Sequence, residues 1–126
     1  MAGDKIKSFT ELLAWQVGHK LVLGIFKDFD TLPQYDALRT QIERSSLSIT
    51  SNIAEGFGRQ SIKDKRHFYI MARGSAFEVQ NQLLVARDTK RLSDEQFNIL
   101  AGLSLDSLRL LHGLIRSLAK GQSANS

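Results

Sequence analysis

Four arginines and one tyrosine on, or one residue past, a single predicted helix are the residues of this 126-residue chain best placed to do chemistry. Arg66, Arg73 and Arg87 recur at intervals of seven and fourteen, Arg91 follows Arg87 by four, and Tyr69 lies on the same side. At 100° per residue these five and Gln80 fall within about 60° of one another. By the same stepping, Asp64, Glu78 and Asp88 project elsewhere, so the row reads as free of acids. Guanidinium forks suit phosphates and a tyrosine ring suits a base. The row therefore predicts a surface for RNA or DNA. Arg59, Lys63 and Lys65 thicken the charge at the preceding turn. Two plainer readings stay open: a solvated face, or arginines that meet the acids of a neighbouring subunit.

Other chemistries find little support. A di-iron bundle wants Glu-x-x-His on two of its helices. None of His19, His67 and His112 has a glutamate three residues before it, and the Asp64–His67 pair reads as surface. There is no cysteine, hence no thiolate metal site and no disulfide. No Gly-x-Ser-x-Gly elbow is present, and Gly56-Phe57-Gly58 lacks the Gly-Lys-Ser/Thr ending of a phosphate loop. The expectation is a protein that is not an enzyme and uses no metal and no cofactor.

The elements that must position the arginines are four helices, at roughly 9–30, 34–57, 62–90 and 94–120. Ser8-x-x-Glu11, Ser61 with Asp64, and Ser93-x-x-Gln96 read as N-terminal caps. Pro33, the one proline, disfavours helix at Leu32 and ends the first helix. Apolar positions repeat at alternating steps of three and four. On helix 4 they are Phe97, Ala101, Ser104, Leu108, Leu111, Ile115 and Leu118; on helix 3, Phe68, Ala72, Ser75, Val79, Leu83 and Ala86. Helix 2 contributes Leu38, Ile42, Ser45, Ile49, Ile53 and Gly56, and helix 1 Leu13, Val17, Leu21, Ile25 and Phe29. Short loops make sequential helices antiparallel neighbours. The chain thus reads as one all-α domain, an antiparallel up-and-down four-helix bundle, with residues 1–8 and 121–126 as flexible tails.

Within this frame several polar residues sit on faces that otherwise read as core. Gln16, Asn52, Glu55, Glu78 and Gln82 are explained most economically as a polar network that fixes helix register, with a small-ligand pocket as the alternative. The serines and threonine inside helix 2, Ser45 to Ser51, read as small side chains for close packing. Helices 1 and 3 also carry apolar surface beyond one core: Trp15, Val22 and Phe26 on the first, Ile70, Phe77 and Leu84 on the third. A helix apolar on two sides points to self-association.

Composition sets the remaining bounds. A net charge of +4 and a pI near 9.6 permit an anionic partner. No run approaches the ~20 apolar residues of a membrane span, and the start of the chain is polar and lysine-bearing, unlike a signal peptide. The expected compartment is the cytoplasm.

Ser51-Asn52-Ile53-Ala54-Glu55-Gly56 resembles the signature of the four-helix-bundle family of 23S rRNA-intervening-sequence proteins. Trp15-Gln16, Arg59, Phe68, Gly74-Ser75, Glu78 and Gln82-Leu83 follow the family's landmarks in order. The likeness spans about Phe9 to Leu118, helix 4 matching by its leucine pattern alone. It departs at Tyr35-Asp36-Ala37-Leu38, where many members have a glycine between tyrosine and leucine; this leaves the start of helix 2 open. The resemblance implies a cytoplasmic bacterial bundle that assembles as a homopentamer. It also implies a kinship with the basic, nucleic-acid-binding accessory protein of diversity-generating retroelements. Five +4 subunits would carry about +20, and multivalency would amplify weak contacts. The expected function is a homo-oligomer that binds RNA or DNA through the helix 3 row; the alternative is a structural adaptor for a protein partner, with no nucleic-acid activity.

Overall fold

Side chains at the caps decide where the helices begin. The computed structural model describes residues 5–119. Ser8 Oγ accepts from the Thr10 amide at 3.2 Å, and the Lys7 amide donates to Glu11 Oε1 at 3.2 Å. This cap opens a single 3-10 turn, Phe9–Glu11, and Leu12 is then extended. The first helix, α1 (Leu13–Asp28), starts four residues later than the sequence pattern predicts.

The second helix, α2 (Ala37–Gly58), is also delayed. Pro33 and Asp36 close a turn through the Asp36 amide, and Asp36 Oδ1 accepts from the Arg39 amide at 3.1 Å. Aspartate is a strong cap, so the helix waits for it and does not begin at Gln34. Ser61 Oγ accepts from the Asp64 amide at 3.0 Å and opens α3 (Ile62–Asp88). Lys90 takes the left-handed conformation (φ 63°), and the Arg91 amide returns to the Ala86 carbonyl, a close of the Schellman type. Ser93 and Gln96 exchange bonds of 2.9 and 3.1 Å at the start of α4 (Asp94–Ala119). The expected tails lie partly outside the described residues, at 1–4 and 120–126, and the predicted end of helix 4 at Lys120 is among them.

Contacts between helices run in opposite senses along each neighbouring pair. Between α2 and α3, Gly56 meets Tyr69 while Ser48 bonds Ser75. Between α1 and α4, Gly24 meets Leu100 while Gly18 meets Ser107. Between α1 and α2, Gly18 meets Thr50 while the carboxylate of Asp30, just past the end of α1, meets Arg39. With α3 against α4, the helices form a square in which sequence neighbours are antiparallel and the backbones of diagonal helices stay apart. Leu21, Ile25 and Phe29, Ile42, Ile49 and Ile53, Val79 and Leu83, and Leu100 and Leu111 fill the centre.

The small polar residues of α2 behave as their size suggests. Ser45, Ser46 and Thr50 are buried and donate back to the carbonyls of Gln41, Glu43 and Leu47. They leave room for Gly18, where a Cβ would lie 3.1 Å from Thr50 Cγ2. Some predicted core positions differ: Val17, Leu38, Phe97 and Ala101 are only half-buried. Leu13 is 63% exposed, because α1 begins there and it points away from the bundle. On α3, Tyr69 takes the core position and Phe68 is only half-buried. Among the described residues no helix is long and apolar enough to cross a membrane.

Candidate nucleic-acid interface

The arginine row of α3 survives only in part. Tyr69 is buried, its ring packed on Gly56, where a Cβ would come within 2.7 Å. Burial pushes its hydroxyl up to a pKa of about 12. Tyr69 is therefore a core residue and does not present a ring for stacking. Arg91 is not part of the row either. Its guanidinium makes bonds of 3.0 and 2.8 Å to Asp36 Oδ2 and fastens the α3–α4 turn to the start of α2. That bond, with the Arg39 amide, holds the Asp36 carboxyl below the usual carboxylate range. Arg87 bonds Asp88 at 2.9 Å and lies over the Phe97 ring at 5.0 Å. The row is thus not acid-free. Adjacent side chains need not share a helix face to meet, and Asp36 arrives from a different element altogether.

What remains is at the other end. The start of the described chain, the α2–α3 turn and the last turns of α4 lie together there. Lys5, Lys7, Arg59, Lys63, Arg66 and Arg116 are exposed at this end, against Glu11, Glu55 and Asp64. From Arg59 to Arg73 the chain holds five cations, Arg59, Lys63, Lys65, Arg66 and Arg73, against Asp64 alone. That net +4 equals the charge of the whole protein. At the opposite end Arg39, Arg87 and Arg91 are all engaged with carboxylates.

Two of these cations are structural as well as electrostatic. Arg59 bonds Glu55 at 2.7 Å and stacks over Phe68 at 4.6 Å. Lys65, counted in the sequence as surface charge, is buried. Its Nζ donates to the Phe57 carbonyl at 2.8 Å and reaches the Gly56 carbonyl at 3.5 Å, closing the C-terminus of α2. Burial lowers its pKa from 10.5. Lys63 and Arg66 stand free in solvent, and Arg73 is half-buried on the α4 side of α3. The signal for Lys65 was present in the sequence: it is the one lysine that falls on the buried stripe of helix 3, in line with Tyr69, Ala72 and Ala76.

The predicted polar network divides into separate pieces. Asn52 Nδ2 donates to the Ser48 carbonyl and to Ser48 Oγ, and Ser75 Oγ donates to Ser48 Oγ at 2.8 Å. This short chain ties α2 to α3. Gln16 instead bonds the Thr10 carbonyl at the start of α1, Glu55 bonds Arg59, and Glu78 is exposed. Gln82 is half-buried, and its Oε1 has no partner among the described residues. The five residues sit on different faces and cannot share one network. His19 stacks on Trp15 at 4.6 Å and His67 meets Phe68 edge-on. No three potential metal ligands come together among the described residues.

Fold and caps define the class, an all-α four-helix bundle with one basic end. The chain belongs to the 23S rRNA-intervening sequence protein family, whose pattern it matches over residues 10–113. It is similar to a crystal structure from Bacteroides thetaiotaomicron, a protein of unknown function from the S23 ribosomal protein family. The two share a TM-score of 0.76 at 24% identity, over 82% of this chain and 98% of the other, which shows a common fold. Comparison with curated proteins gives no match.

Proposed function

We propose that the protein is a non-enzymatic, self-assembling bundle, a pentamer of the cytoplasm, that holds RNA or DNA by phosphate contacts at its basic end. The carrying observation is the concentration of the entire net charge between Arg59 and Arg73, with Lys63 and Arg66 free in solvent. Phosphate neutralisation dominates nucleic-acid affinity and needs no base contacts. Little sequence specificity is expected, since no helix is presented as a recognition helix. The family's association with ribosomal RNA intervening sequences supports the reading. Exposed apolar side chains on three helices, Leu13, Phe77, Ile99 and Leu105, support self-assembly, which would multiply each weak contact.

The test is fluorescence anisotropy with a structured RNA and a duplex DNA across a salt series. Binding should weaken with a log–log slope of several, and Lys63→Glu with Arg66→Glu should lower that slope by about two. No binding at low salt would overturn the proposal and leave an adaptor whose arginines meet an acidic protein.

A further inference from the structure

Three flat side chains meet in series where α2 hands over to α3. Arg59 is held by Glu55 at 2.7 Å, and its guanidinium lies over the Phe68 ring at 4.6 Å. Phe68 is half-buried, and its Cβ lies only 3.0 Å from where a Cβ on Gly56 would stand, so its stem is packed against the end of α2. His67 stands edge-on to the same ring, with centroids 5.3 Å apart and an interplanar angle of 76°. Edge-on packing is a favoured geometry for two aromatic rings, and it leaves at least one face of the imidazole clear of the phenyl. His67 is itself exposed. An aromatic face propped in water suits an unpaired base, because little rotamer freedom is lost when the base stacks on it.

Position selects this ring among the exposed aromatics. Lys63 lies one turn before His67 on the same side of α3, and Arg66 precedes it directly; both are exposed, and both are the cations proposed above to hold phosphates. Asp64, the nearest acid on α3, is exposed and forms no ion pair with them among the described residues. Tyr35 is 89% exposed but stands in the α1–α2 connection, at the carboxylate-rich end. Phe26 lies near that same end, and Phe77 sits midway along α3. Tyr69 is buried. We infer that His67 takes an unpaired base while Lys63 and Arg66 hold the flanking phosphates, so that the ligand is single-stranded or looped nucleic acid. In a duplex each base face is covered by its neighbours and comes free only after unstacking. The inference rests on the nucleic-acid reading above and adds the part of the ligand that phosphate contacts leave unspecified. Stacking accepts any base, in keeping with low sequence specificity.

The probes that test this with the full chain are a short oligothymidylate and an abasic strand of the same length, which carries the same phosphates without bases. At one low salt concentration, anisotropy should show the oligothymidylate bound about tenfold more tightly than the abasic strand. This comparison uses the wild-type protein and needs no variant. His67→Ala should then remove the advantage and leave abasic binding and its salt slope unchanged, and His67→Tyr should keep it; circular dichroism melts check that both stay folded. A fluorescent adenine analogue within the strand should be quenched on binding the wild type and not on binding His67→Ala. If the two strands bind the wild type alike, if the analogue is not quenched, or if His67→Ala weakens both strands equally, stacking is overturned while phosphate binding stands. If neither strand binds at low salt, both fall.

Discussion

Two glycines in one bundle show how much a single Cβ depends on its surroundings. At Gly56 a Cβ would meet Tyr69 ring carbons at 2.7 and 2.9 Å and Phe68 Cβ at 3.0 Å. Alanine there gains up to about 1 kcal/mol of helix propensity but overpacks the core by about 1–3 kcal/mol. Gly56→Ala should therefore destabilise the protein in urea unfolding. At Gly74, on the solvent side of α3, no atom lies within 4 Å. Gly74→Ala should stabilise it by about 0.5–1 kcal/mol in the same assay. Tyr69 adds a prediction in pH. Its folded pKa of about 12 lies above the ordinary 10.0. Folding thus favours the neutral phenol, a contribution fully present below pH 10 and lost as the pH rises toward 12. Two units correspond to at most about 2.7 kcal/mol. Tyr69→Phe should flatten the alkaline fall in stability relative to wild type.

At the scale of elements, the end built from the α1–α2 and α3–α4 connections is tied by Asp36. It caps α2 and receives Arg91. Because its pKa is held below 3.8, its contribution is present above that pH and is lost as acid protonates it. Asp36→Asn should lower the melting temperature at neutral pH and show a smaller further drop below pH 3.8. The loss of both bonds to Arg91 should also loosen the α3–α4 turn, visible as faster amide exchange around Lys90. The caps at Ser61 and Ser93, the four helices and most core positions were legible in the sequence, because each is a local signal. Asp36 is not legible as the cap because the pattern puts the helix start two residues earlier, at Gln34, and its partner Arg91 lies fifty-five positions away. Tyr69 was read on the wrong side of α3 for a related reason. It sits at the margin between buried and exposed stripes, and only the absence of a side chain at Gly56 draws it inward. The site was legible in its charge and not in its geometry, since whether an arginine is free depends on acids that other elements deliver.

For the whole molecule, the antiparallel square explains why the surface charge is divided. Connections at one end hold seven carboxylates, Asp28, Asp30, Asp36, Glu43, Asp88, Asp94 and Glu95, and the arginines beside them are largely spent in ion pairs. At the other end Arg59 is held by Glu55 and Lys65 closes α2, while Lys63 and Arg66 stay exposed to solvent. The salt-slope experiment reads that end.

The same division bears on kinetics. A body positive at one pole and slightly negative at the other experiences a torque as well as a pull near a polyanion, so it turns before it touches. Encounters should be productive more often than random collision allows. Added salt should slow association far more than it hastens release, and charge reversal at Lys63 and Arg66 should remove most of that difference. For the proposed binding, stopped-flow traces at two ionic strengths would show whether orientation in flight, as much as grip on arrival, sets the rate of encounter.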